Sequence, residues 1–211
     1  MDIDYIRKTA KKLTTDSNGS HDWFHTKRVH NLCMKIGRAE GANLDVLEMA
    51  AFLHDIGRPF QDKSKGIICH AEKGAELAAD ILSRIDIKAD YRDNIIHSIR
   101  THRFRGNNRP ETIEAKVLFD ADKLDSIGAV GIGRAFLFAG EVGATLHNPD
   151  VAPEESESYT KNDTCYREYK IKLTKVKDRM LTKEGYLIAL ERHKFMETFF
   201  DRFMQEFRGA A

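Results

Sequence analysis

Apolar residues recur three and four positions apart along nearly the whole chain, which is the spacing of one buried helix face. The pattern predicts helices over about 2–13, 22–40, 44–54, 70–84, 90–103, 110–127, 129–141, 163–182 and 183–207. In the second, Val29, Leu32, Cys33 and Ile36 share a face, Asp22 is placed to cap the start, and Gly41 follows the end. Ile95, Ile96 and Ile99 point inward from the fifth, with Asp90 as its cap. The sixth opens on Pro110, a residue suited to a first helical turn, and buries Ile113, Val117, Leu118, Ala121 and Leu124. Clusters of Gly, Pro, Asn, Asp and Ser break the pattern at 16–20, 57–68 and 104–109. No run alternates apolar and polar residues as a half-buried strand would, so the expected fold is all-α.

The stretch 143–162 changes character, with Asn148-Pro149-Asp150, Pro153-Glu154-Glu155 and several Ser and Thr. It reads as a long polar loop, either mobile or closing over a substrate. The expected organisation is a helical domain over 1–142, that loop, and C-terminal helices over 163–211 packing on the same domain. The last helix carries Tyr186, Leu190, His193, Met196, Phe199, Phe200, Phe203 and Phe207. Such a stripe predicts core, with a homo-oligomer interface as the alternative.

Composition narrows the classes. Across 211 residues, 41% hydrophobic and 32% charged content describes a globular chain, and a net charge of +1 gives no global pull toward a nucleic-acid polymer or a membrane. An anionic ligand must therefore be met by a local cluster. The first residues carry no apolar signal region, and no run reaches the roughly 18 apolar residues of a membrane span. Three cysteines without metal-type spacing predict no disulfide framework and a cytoplasmic setting, with Cys33 in the core.

Candidate chemistry begins at His54-Asp55, which closes the apolar run Met49 to Leu53 and precedes Ile56-Gly57-Arg58. Neighbouring side chains in mid-helix point about 100° apart. At a helix C-terminus the chain turns, both can converge, and the negative pole of the helix dipole favours a cation. Gly57 is the expected stop. The dipeptide thus reads as half of a metal site. Upstream stands His21-Asp22-Trp23-Phe24-His25; downstream stands Phe119-Asp120-Ala121-Asp122-Lys123-Leu124-Asp125. Asp22 is assigned to helix capping, and His21 to a place behind the ligands. A carboxylate at Asp122, flanked by Phe119, Ala121 and Leu124, is costly unless paired or metal-bound.

The order His25 … His54-Asp55 … Asp122 resembles the H…HD…D signature of the HD superfamily of metal-dependent phosphohydrolases, over roughly residues 20–140. The wording around His21 to His25 and Asp120 to Gly128 is most similar to small stand-alone HD hydrolases. That resemblance implies an HD-type helical bundle with added C-terminal helices. It implies His25, His54, Asp55 and Asp122 as metal ligands, and cleavage of phosphate esters or anhydrides, nucleotides included.

Two imidazoles and two carboxylates suit one octahedral divalent ion, such as Mn²⁺, Mg²⁺, Fe²⁺, Co²⁺ or Ni²⁺. With open positions such an ion activates water and polarises a phosphoryl oxygen. Asp55, Arg58, Lys123 and His102 are the candidate catalytic groups. Lys27, Arg28, His70 and His97 are the candidate groups for binding a small phosphorylated substrate. Asp120 and Asp125 are expected to orient the ligands or Lys123. Some HD branches hold a second metal through further histidines; here a doubled histidine of that kind is replaced by Thr101-His102, which favours one ion. His70 and His102 are then left for phosphate binding or proton donation. The alternatives are a non-catalytic nucleotide-binding sensor, and an oxygenase that would need a second complete ligand set.

Overall fold

The structure is a computed structural model that describes residues 3–14, 22–105 and 108–210. The expected loop at 16–20, His21, and residues 106 and 107 of the expected loop at 104–109 lie outside the described residues. Among the described residues there is no strand, and the all-α expectation holds. The chain divides into two compact units, Met1–Asp122 and Lys123–Ala211.

The first unit is built from α1 (Ile3–Leu13), α2 (Trp23–Glu40), α3 (Leu44–Leu53), α4 (Arg58–Lys63), α5 (His70–Leu82), α6 (Ala89–Thr101) and most of α7 (Ile113–Leu124). α3 is its axis: α1, α2 and α6 all pack on it, and α5 packs on α6. That position explains its composition. Val46, Leu47 and every residue from Met49 to Leu53 are buried, so the helix is apolar nearly all round rather than along one stripe. Each such large side chain contributes about 2 kcal/mol of burial. Asn43 starts α3, its side chain accepting from the Asp45 and Val46 N–H groups. Asp22 caps α2 through the His25 N–H at 2.8 Å, as expected. Gly41 ends α2 in the left-handed region at φ 69°.

Several local expectations are corrected. The segment 57–68 is not wholly loop, since α4 occupies its first half with Pro59 in the opening turn. Gly57 is no left-handed helix stop: its φ is −83°. Its requirement is close approach, because a Cβ there would lie 2.2 Å from the His70 carbonyl oxygen and 2.6 Å from the Gly74 nitrogen. Neither backbone can yield cheaply. Gly57→Ala is therefore expected to cost about 3 kcal/mol, read as a fall in Tm, with His70 displaced. Asp90 lies within the first turn of α6, whose N-cap is Lys88. Pro110 stands outside α7; Thr112 supplies the cap there, accepting from the Ala115 N–H.

The second unit contains α8 (Gly128–Glu141), α9 (Cys165–Ile171) and α10 (Lys183–Phe207), with α8 packed on both others. The helix expected over 163–182 stops at Ile171 and continues as two short 3₁₀ turns. Like charges at Lys172 and Lys175, and at Lys175 and Arg179, repel at helical spacing, and Thr174 and Val176 are poor helix formers. The polar stretch 143–162 is tied down rather than loose. Buried Arg167 donates to Asp163 at 2.7 Å and to the Ser156 carbonyl, and Thr145 bonds the Lys161 carbonyl. On α10 the buried positions are Gly185, Ile188, Ala189, His193, Met196 and Phe200. Tyr186, Leu190 and Phe207 of the expected stripe are exposed. Phe200 stacks on Tyr169 at 4.1 Å.

Candidate metal centre

Five helices of the first unit deliver the candidate ligands. His25 comes from α2, His54 and Asp55 from the end of α3, His70 from the first turn of α5, His102 from the end of α6, and Asp122 from α7. His25 and His54 are fully buried, and Asp55, His70 and His102 are nearly so. Asp122 retains 13% exposure and faces solvent most.

The groups converge as two overlapping sets. His25, His54 and Asp122 form one and Asp55, His70 and His102 the other, the ligand atoms within each lying inside 4.8 Å of one another. The carboxylate of Asp55 touches both. Its Oδ2 is 3.6 Å from His25 Nε2 and 3.8 Å from His54 Nε2. Its Oδ1 is 3.2 Å from His70 Nε2 and 3.9 Å from His102 Nε2. His25 Nε2 is 3.5 Å from Asp122 Oδ1.

Where the protons sit follows from the acceptors behind each ring. His54 Nδ1 donates to the Ala51 carbonyl at 2.8 Å, and His102 Nδ1 to the Ile99 carbonyl at 2.7 Å. His70 Nδ1 donates to Gln61 Oε1 at 2.8 Å, an oxygen that also accepts from Arg103. A neutral imidazole has one proton, so all three Nε2 atoms present lone pairs to the centre. Yet His70 and His102 Nε2 are 3.1 Å apart, and His54 and His25 Nε2 are 3.3 Å apart. The facing lone pairs of His70 and His102 repel each other and the Asp55 carboxylate unless a cation lies among them. The residues therefore fit divalent ions, held by nitrogen and oxygen with no thiolate.

The electrostatics agree. Burial pushes the His70 pKa down to about 2 and is the main cause of the lowering of His102 to about 4, so both rings are neutral and ready to ligate near pH 7. His54 and His102 each cap a helix C-terminus, where the carbonyl pole favours a cation. The two use one device, an imidazole turned back on the carbonyl three residues earlier.

The other expected site residues separate. Arg58 stays beside the centre, 3.7 Å from Asp55 Oδ2. Lys123 follows Asp122 in α7 and is half-buried. His97 joins neither set; its Nε2 accepts from the Glu111 N–H at 3.1 Å and fixes the approach to α7. Arg28 flanks His25, whereas Lys27 lies about 200° round α2 from it. Asp125 belongs to an ion pair of the second unit, with Arg134 at 2.6 Å. With its proton held on Nδ1, His102 is suited to ligation and not to proton donation, and His70 likewise is not suited to donating to phosphate. Sequence reasoning missed Gln61, which orients His70; a lone glutamine in a polar segment carries no signal.

Comparison with known proteins places these residues in context. The family model for the HD domain matches residues 23–127. The chain is 33% identical to the Bacillus subtilis protein YpgQ over 208 residues, covering 97% of this chain and 93% of that one. The crystal structure of YpgQ in complex with ADP matches with a TM-score of 0.74 at 32% identity, covering 97% and 94% of the two chains. A crystal structure of an HD-superfamily hydrolase from Bacillus thuringiensis matches with a TM-score of 0.77 at 30% identity, covering 98% and 96%.

Proposed function

The chain belongs to the HD-domain family of stand-alone HD-superfamily hydrolases, and from that premise we propose that it is a metal-dependent phosphohydrolase cleaving an ester or anhydride bond in a nucleotide. The observation that carries this reading is the Asp55 carboxylate shared between His25 and His54 on one side and His70 and His102 on the other, with the Nε2 atoms of His54, His70 and His102 left bare by the protons on Nδ1. It supports two adjacent cation positions: His25, His54, Asp55 and Asp122 would hold one ion, and Asp55, His70 and His102 the other. A divalent ion there supplies Lewis acidity toward a phosphoryl oxygen and lowers the pKa of water.

The chain's own groups do the rest. Arg58, mostly buried beside Asp55, is placed to grip a phosphate oxygen and offset the charge that grows as the phosphorus–oxygen bond breaks. Lys123, next in sequence to Asp122, is the candidate for a second cation. Partial exposure at Asp122 and Arg58 marks the side from which a phosphate would enter. The ADP complex of YpgQ supports a nucleotide as the ligand class. Among the described residues, no helix is long and apolar enough to cross a membrane.

The test is a panel of nucleoside mono-, di- and triphosphates with Mn²⁺, read as released phosphate or pyrophosphate. Turnover of at least one nucleotide is expected. Tight nucleotide binding by the metal-loaded protein without any product would replace this reading with that of a sensor.

A further inference from the structure

The first unit holds a second chemically distinctive concavity that shares no residue with the metal centre. It is a cavity of about 480 Å³ between α1, α2 and α3, lined by Arg7, Lys8 and Lys11 of α1, by Trp23, Lys27, His30 and Asn31 of α2, and by Phe52 of α3. On α2 the lining positions form one flank, and His25 projects from the opposite one. Lys27 therefore serves this cavity and not the cage.

Two features coincide there. The first is charge: four Lys and Arg side chains surround the opening in a protein whose net charge is only +1. Arg7 pairs with exposed Asp4 at 2.8 Å, while Lys8 and Lys27 have no acidic partner among the described residues. The second is a stack of rings. Trp23 lies on Phe52 at 5.9 Å and 16°, and His30 lies on Phe52 at 4.5 Å and 15°. Glu48 and Asn31 hold the His30 ring on either side. Cations select phosphate, and a half-exposed indole braced from behind offers a flat face for a base. The volume is that of a small-molecule site and suits one nucleotide rather than a polymer.

We propose that this cavity is a second nucleotide site, holding a nucleoside polyphosphate with its phosphates among Arg7, Lys8, Lys11 and Lys27 and its base against Trp23. Its occupant would bear on the cage only through α2 and α3, the helices that carry His25 and lead into His54 and Asp55. The site does not depend on the hydrolytic reading.

Trp23 is the only tryptophan in the chain, so its fluorescence reports this cavity directly. The experiment titrates ATP into the whole 211-residue chain in excess chelator, which removes the cations a nucleotide would need at the cage. A saturable change in Trp23 emission is expected, retained in Asp122→Ala. The double variant Arg7→Gln/Lys8→Glu changes two exposed side chains and is expected to weaken that response by about tenfold or more while nucleotide hydrolysis stays at its basal rate. Tripolyphosphate is expected to bind at least about tenfold more weakly than ATP. A flat emission signal, or equal binding by the double variant, overturns the site. Equal binding of tripolyphosphate overturns the assignment to a nucleotide, and tighter binding of a short single-stranded RNA overturns it in favour of a polymer.

Discussion

Asp55→Asn is expected to remove bound metal and nucleotide hydrolysis together, lowering turnover by more than about 100-fold, since even groups that merely support metal ligands are worth 10–100-fold. The substitution keeps the volume of the side chain, so no cavity forms in the buried centre. It removes the one negative charge that both sets of imidazoles share. Linkage supplies an independent readout. An ion at 100 times its Kd stabilises the folded chain by about 2.7 kcal/mol. Adding Mn²⁺ should therefore raise the Tm of the parent protein and leave that of Asp55→Asn nearly unchanged. Full metal content in the variant, measured per chain by elemental analysis, would remove Asp55 from the centre of the scheme.

The residues that converge here are partly legible in the sequence, and the reasons are local. His54-Asp55 stands out because an apolar run stops at it, and α3 ends there because it is the buried axis of the unit. Asp22 and Gly41 gave correct boundaries for α2 because capping chemistry acts within a turn of the chain. His102 was harder to interpret. It occupies the same position on α6 that His54 occupies on α3, bonded back to the carbonyl three residues earlier. Its helix reads as running on to 103, and Thr101 masked the parallel. His70 and Gln61 depend on the approach of α4 to α5 across Gly57, a contact between segments that no single-helix pattern encodes. Lys27 illustrates the opposite limit: it stands two residues from His25 in sequence yet lines the flank of α2 that carries Trp23, His30 and Asn31. In the C-terminal part, periodicity found α10 but misjudged which residues face inward, because its aromatic positions are too numerous to define one stripe.

His102→Ala is expected to lower bound metal from two ions per chain to one and to reduce turnover by more than about 100-fold. His102 belongs only to the second set, where its loss leaves Asp55 and His70 as the sole protein donors among the described residues. Two donors do not hold a divalent ion against water at ordinary concentrations, whereas His25, His54, Asp55 and Asp122 remain for the first ion. The turnover loss is expected because Asp55, His70 and His102 would together hold an ion that would supply Lewis acidity toward the phosphate. His97→Ala is the matched control. That ring lies outside both sets and accepts one backbone hydrogen bond, so its loss should cost about 1 kcal/mol of stability with metal content unchanged. One ion per chain in both the parent and His102→Ala would return the centre to a single-metal site, with the Asp55–His70–His102 set acting only to orient Asp55. Two ions in the parent and one in the variant would fix the second position by its ligand, because His102 supplies a ligand atom to that set alone, although its ring packs edge-on against His54.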